Sequence, residues 1–144
     1  MPLFNDDEQL LIKQAVQAAE KNTSGEIRVC VEKTCSEDVL DRAAKYFNQL
    51  DMQKTKLRNG VLIYLATQDR KFAIIGDGGI NQQVPVDFWD QTKLDMLEQF
   101  KQGNLIEGIV TGVTKAGEQL KKYFPHQLDD INELSDDVSF MDGD

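Results

Sequence analysis

The stretch RNGVLIYLATQDRKFAIIGDGGIN, residues 58–81, decides the fold predicted for this chain. Residues 60–66 are apolar throughout, which predicts a central strand that is covered on both faces. Residues 67–71 are too few for a crossover, so the next apolar run, residues 72–75, must return antiparallel as a β-hairpin. A carboxylate, Asp77, then follows within a Gly-Asp-Gly-Gly loop.

Helical and strand periods alternate on both sides of this hairpin. A first helix is predicted to begin at a capping box on Asn5, and residues 26–32 alternate as a strand with one buried face. A helical stripe from residue 39 joins this strand to the next as a crossover, which makes the two strands parallel. Two helices follow, one near Pro85 and one opened by a second capping box at Asn104. This order predicts an α/β protein, a three-layer α/β/α sandwich with a mixed, mostly parallel central sheet.

Length and charge limit the possible classes of function. The chain has 144 residues, the size of one ordinary domain, with 25 acids, 16 bases and a net charge of −9. Residues 128–144 contain seven of the acids and no base. We therefore predict an α/β domain at residues 1–127 and an acidic C-terminal tail at residues 128–144. The nearly balanced domain does not favour binding to nucleic acid or to anionic lipid, both of which require a concentrated basic face.

The N-terminal sequence and the thiols indicate a cellular compartment. MPLFNDDEQLLIKQ has no basic region followed by an apolar stretch, and no apolar segment approaches the ~20 residues of a membrane span. Cys30 and Cys35 are too few for a disulfide framework in a chain of this length. We expect a cytoplasmic monomer with reduced thiols and no membrane insertion.

Three strand ends are predicted to meet at one edge of the sheet. Two parallel strands begin at Glu26 and next to Asn59, and the returning strand ends at Asp77. Carboxylate and amide oxygens suit Ca²⁺ or Mg²⁺, whereas zinc prefers histidine and cysteine. We therefore predict a divalent-cation site formed by Asp77, Glu26 and Asn59.

The residues beside this site allow other interpretations. Arg58, Gly78 and Gly79 form a candidate anion or phosphate site, where glycines with positive φ would let the backbone approach closely. Asp77 would repel a phosphate unless a metal stood between them. No dinucleotide fingerprint or P-loop is present, so no nucleotide cofactor is predicted. A structural interpretation also remains, since Gly-Asp-Gly is a common turn composition and Glu26 could pair with Arg28 on the strand surface.

Several phrases, in this order along the chain, match a known family. They are TSGEI at residues 23–27, NGVL at residues 59–62, DRK at residues 69–71 and GDGGI at residues 76–80, followed by Phe100, Gly103 and Gly108. With them the chain resembles the TPM domain family over residues 5–124. The resemblance implies an α/β/α sandwich, a divalent-cation pocket often occupied by calcium, and an acid phosphatase activity found in some members.

Two positions depart from the family pattern. Many relatives have an aspartate where this chain has Arg58, and their loop often ends in a glutamate where this chain has Asn81. Both changes lower the negative charge available to a cation. The leading hypothesis is a metal-binding module with a regulatory or partner-binding role. The alternatives are a metal-assisted phosphatase in which Arg58 steadies the phosphoryl charge, and a metal-free interaction protein that uses its acidic tail.

Overall fold

The computed structural model describes residues 4–125 and 138–142. Within these residues, no helix is both long enough and apolar enough to cross a membrane. The elements described are, in chain order, α1 (Asp6–Glu20), β1 (Glu26–Glu32), α2 (Val39–Gln49), a 3-10 turn (Met52–Lys54), β2 (Gly60–Ala66), β3 (Lys71–Gly76), α3 (Gly78–Asn81), α4 (Phe88–Lys101), α5 (Leu105–Tyr123) and β4 (Ser139–Phe140).

The sheet has the strand order β3-β2-β1-β4. Strands β1 and β2 are parallel, with Glu26 opposite Gly60, and α2 forms the crossover between them. Strand β3 returns antiparallel to β2, so that Gly76 lies opposite Val61. Strand β4 pairs with β1 in parallel. The predicted hairpin and the mixed, mostly parallel sheet are therefore confirmed.

Helices cover both faces of the sheet, which confirms the three layers. Helices α1, α4 and α5 lie on one face, and α2 lies on the other with the 3-10 turn. The larger apolar core lies between the sheet and the three helices and includes Ile12, Ile27, Ile63, Leu65, Met96, Ile109 and Leu120. The smaller core lies beneath α2 and includes Cys30, Ala43, Phe47, Met52, Leu62 and Tyr64.

Strand β1 is buried on both faces, so the prediction of a single buried face is wrong. Cys30 is fully buried, and Glu32 is only 3% exposed. The reason is that α2 packs over the face whose sequence looks polar. Burial raises the pKa of Cys30 to about 12, so this thiol stays protonated at neutral pH.

The two predicted capping boxes have different outcomes. At α1 the prediction is confirmed, because Glu8 N donates to Asn5 Oδ1 at 2.8 Å and Asn5 N donates to Glu8 Oε1 at 3.0 Å. At α5 it is wrong, because the side chain of Asn104 does not cap the helix. Its side-chain amide instead donates to Gln99 Oε1 at 3.3 Å. The connection between α4 and α5 is a tight turn in which Gly103 has a left-handed backbone (φ 84°).

Part of the predicted acidic tail belongs to the sheet. Residues 138–142 lie against β1, where Phe140 makes an edge contact with Phe4 at 6.2 Å between ring centroids. Arg28 Nε donates to Ser139 Oγ at 3.0 Å. The remainder of the acidic stretch, residues 128–137 and 143–144, lies outside the described residues.

Candidate functional site

The three predicted cation ligands lie at one edge of the sheet. Backbone hydrogen bonds join the strand ends there, from Glu26 N to Asn59 O at 3.4 Å and from Asp77 N to Gly60 O at 2.9 Å. All three side chains are polar and buried: Glu26 is 2% exposed, Asn59 1% and Asp77 8%. Because burying a polar group costs free energy unless it is satisfied, each of them requires a partner at this edge.

Asp77 is bound by Arg58. The guanidinium donates from Nε to Oδ2 at 2.7 Å and from Nη2 to Oδ1 at 2.9 Å, so the ion pair is bidentate. Gly78 N also donates to Oδ1 at 2.7 Å. The hydrogen bond and the charge of Asp77 raise the pKa of Arg58. The carboxylate thus uses three of its roughly four acceptor positions. Its cationic partner is largely open to solvent, since the Arg58 side chain is 58% exposed.

The backbone around this pair depends on one glycine. A Cβ atom on Gly79 would lie 2.1 Å from the carbonyl oxygen of Leu57, whereas one on Gly78 would meet nothing within 4 Å. Ile80 N donates to Arg58 O at 3.3 Å, which joins α3 to the loop before β2. The predicted close approach is therefore present at Gly79. The left-handed residue is Arg58 (φ 54°), not either of these glycines.

The amides at this edge have partners of their own. Asn59 Nδ2 donates to Ser24 Oγ at 3.3 Å, so its amino group points towards the loop before β1. Asn81 Nδ2 donates to Gly76 O at 2.8 Å and its Oδ1 accepts from Trp89 Nε1 at 2.7 Å, so Asn81 joins α3 to α4.

A cation could use part of this donor set. Asp77 and Glu26 supply carboxylates and Asn59 an amide, which are ligand types that Ca²⁺ and Mg²⁺ accept. In residues 4–125 and 138–142, however, no three His, Cys, Asp or Glu side chains are grouped so as to hold a metal ion. The donor set therefore fits a divalent cation only if Arg58 leaves Asp77 and if backbone oxygens or water complete the coordination.

A second polar centre, which the sequence interpretation missed, lies at the opposite end of β1. The Glu32 carboxylate accepts from Arg42 Nε at 2.9 Å and Arg42 Nη2 at 3.1 Å. It also accepts from Tyr46 Oη at 2.8 Å and from Tyr64 Oη. One pattern could have indicated part of this centre: Arg42 and Tyr46 are four residues apart on α2, which places them on the same face of the helix.

Burial and hydrogen bonding shift the pKa values of the Glu32 centre. Burial acts to raise the pKa of Glu32, but the hydrogen bonds from Arg42, Tyr64 and Tyr46 outweigh it and the pKa is lowered. Burial, followed by the hydrogen bond to Glu32, raises the pKa of Tyr46 to about 12 and that of Tyr64 further. These shifts favour an ionised carboxylate and protonated phenols near neutral pH, so the hydrogen bonds that join α2 to the sheet are retained there.

Comparison with known proteins gives matches over most of the chain. The sequence model of the TPM domain matches residues 2–119. The BA42 protein from the psychrophilic bacterium Bizionia argentinensis, solved by NMR, is 52% identical, with a TM-score of 0.89 and 96% of each chain covered. A comparison with curated protein sequences finds no match.

More distant solved structures share only the fold. The N-terminal domain of a protein from P. gingivalis has a TM-score of 0.72 at 19% identity, covering 87% of this chain and 83% of that one. The N-terminal domain of the cg2496 protein from Corynebacterium glutamicum has a TM-score of 0.65 at 12% identity, covering 82% and 74%.

Proposed function

This chain belongs to the TPM domain family, and from that premise we propose that it is a cation-responsive binding module in which Ca²⁺ or Mg²⁺ competes with Arg58 for Asp77. The module acts as a cytoplasmic monomer, and the exchange alters a surface that a partner protein reads. The observation that carries this proposal is the asymmetry of the ion pair: Asp77 is buried, while the side chain of Arg58 is 58% exposed.

The exchange is physically reasonable because both Arg58 and Asp77 would find another favourable interaction once their ion pair is broken. Arg58 can return its guanidinium to water, where a charged group is well solvated. Asp77 would keep its hydrogen bond from Gly78 N and would gain a divalent ion in place of a monovalent one. Glu26 and Asn59 lie at the same sheet edge and would supply further oxygens.

The loop that would move is defined by its contacts. Arg58 has a left-handed backbone, its carbonyl accepts from Ile80 N, and Gly79 lies against Leu57 O. A change at the Arg58 side chain is therefore transmitted to α3 and to the segment before β2. These segments form the surface whose altered shape would be recognised by a partner.

The test is a Ca²⁺ and Mg²⁺ titration followed by amide NMR signals. We expect shifts in residues 57–60 and 77–81 of the unmodified protein, with weak affinity. Arg58→Ala should bind the cation several-fold more tightly because the internal competitor is gone. Asp77→Asn should abolish the shifts, since the amide keeps the shape of the side chain but loses its charge.

Arg70→Ala is the matched control. Arg70 has the same backbone φ of 54° as Arg58 and the same charge, but it lies in the β2–β3 hairpin at the other end of the sheet. This variant should titrate like the unmodified protein. Unchanged affinity in Arg58→Ala, or shifts that persist in Asp77→Asn, would overturn the proposal.

The two alternatives make different demands on the molecule. A metal-assisted phosphatase requires the Arg58 guanidinium to face a phosphoryl group, but here it faces both oxygens of Asp77. Phosphomonoester hydrolysis that disappears in Asp77→Asn and on chelation would favour that alternative. The interaction protein requires the acidic tail, residues 128–144, and its deletion would abolish partner capture in a pull-down while leaving folding intact.

A further inference from the structure

A cavity of about 580 Å³ opens at the end of the sheet opposite Asp77. It lies between the β2–β3 hairpin and the turn that joins α4 to α5, with Gly103 at that turn. Its volume falls within the range of small-molecule pockets, roughly 300–1,000 Å³. The cavity opens at the carboxyl end of β2, which is parallel to β1. Open α/β sheets bind their ligands at the carboxyl ends of their strands.

The walls of the cavity are apolar. Phe72 and Phe100 make an edge-to-face contact with ring centroids 4.8 Å apart. Phe100 is held in place from behind, since a Cβ atom on Gly108 would lie 2.3 Å from its ring. The apolar lining residues are Leu65, Phe72, Leu97, Phe100 and Leu105.

The rim of the cavity is basic, which stands out in a chain of net charge −9. Arg70 and Lys101 both line it, and no acidic residue lines it within the described part of the chain. Both side chains are exposed, and neither forms an ion pair or a side-chain hydrogen bond with another described residue. Lys93 adds a third positive charge nearby, with Nζ 5.6 Å from the centre of the Phe72 ring.

We infer that this cavity binds a small amphiphilic carboxylate, with its hydrocarbon body against the apolar wall and its carboxylate at Arg70 and Lys101. The apolar body supplies most of the binding through the surface that it removes from water. The two cations supply specificity, because charge-assisted hydrogen bonds to a carboxylate are stronger than those to a neutral group. The site is separate from the Asp77 edge and requires no metal.

The test is a titration of the full chain with octanoate, followed by amide NMR signals in the presence of a chelator. Uncharged 1-octanol is the matched ligand, since it has the same hydrocarbon length without the carboxylate. We expect octanoate to shift the signals of Thr67, Phe100, Gly103 and Leu105 and to bind about tenfold more tightly than 1-octanol.

Two double variants, each of which removes two positive charges, distinguish binding in the cavity from a general effect of the protein's charge. Arg70→Gln with Lys101→Gln should weaken octanoate binding about tenfold while leaving 1-octanol unchanged. Lys121→Gln with Lys122→Gln removes the same charge at the far end of α5 and should leave both ligands unchanged. The assignment is overturned if the two ligands bind equally, if both double variants respond alike, or if the shifted signals lie away from the cavity.

Discussion

At each of two edges of the sheet, an arginine donates two hydrogen bonds to a buried carboxylate, but the surroundings of the two ion pairs differ. Glu32 has a side chain 4% exposed and its arginine, Arg42, is 26% exposed. Asp77 is similar at 7%, yet its arginine, Arg58, is 58% exposed. Two tyrosine hydroxyls also hold Glu32, whereas a single backbone amide assists at Asp77. The same type of ion pair is thus enclosed by further partners at one edge and largely open to solvent at the other.

The environment of the arginine explains this difference. Arg42 stacks over the Tyr46 ring at 5.1 Å and also binds Glu37 at 2.8 Å, so its departure would break several contacts at once. Arg58 makes its side-chain hydrogen bonds to Asp77 alone among the described residues. Exposed ion pairs contribute little to stability, whereas removing one partner of a buried pair is costly. Stability is therefore expected to reside at Glu32, and ligand exchange at Asp77.

The largest expected effect comes from making the same substitution at both edges. Arg42→Met should lower the free energy of unfolding by about 3 kcal/mol, because Glu32 is left as a buried charge without its cation. Arg58→Met should lower it much less, because Arg58 is 58% exposed and its removal would open Asp77 to water. Urea unfolding measures both, and the midpoint should move while the slope stays constant. Equal losses in the two variants would contradict the contrast between the edges.

An intermediate effect is expected from the glycine that shapes the Asp77 edge. Gly79→Ala should cost about 1–3 kcal/mol, because its Cβ atom would press on the carbonyl oxygens of Leu57 and Arg58. Gly78→Ala is the matched neighbour, and its Cβ atom meets open space. It should be neutral or slightly stabilising. Thermal unfolding of the two variants measures the difference in stability. Equal melting temperatures would show that the backbone at this edge can move to accommodate a Cβ atom on residue 79.

The smallest expected effect is a pH dependence that comes from Glu32. Folding lowers its pKa, so the stabilisation is fully present above the unfolded pKa of about 4.3 and is lost as the pH falls through the lower native pKa. The loss is about 1.4 kcal/mol for each unit by which the pKa is lowered. Free energies of unfolding from pH 6 to pH 3 should fall more steeply for the unmodified protein than for Glu32→Gln. Parallel profiles would show that Glu32 is not the carboxylate responsible.

Strand and helix periods were sufficient to predict the hairpin, the crossover helix and the edge at which Asp77 lies. They failed where a residue's partner is distant in the chain. Glu32 alternates as an exposed residue, but α2 buries it, and nothing local identifies Tyr64 as its partner 32 residues away. Strand β4 was missed because its two residues pair with β1 more than 100 positions earlier.

Local sequence was thus enough to establish the order of elements, the direction of the strands and the α/β class, because periodicity and short connections constrain those directly. Which cation each carboxylate meets, and how far that cation is exposed, depended on the packing of elements distant in the chain. Ion pairing is set by distances of a few ångströms and by burial, and neither is written in the spacing of residues along one strand.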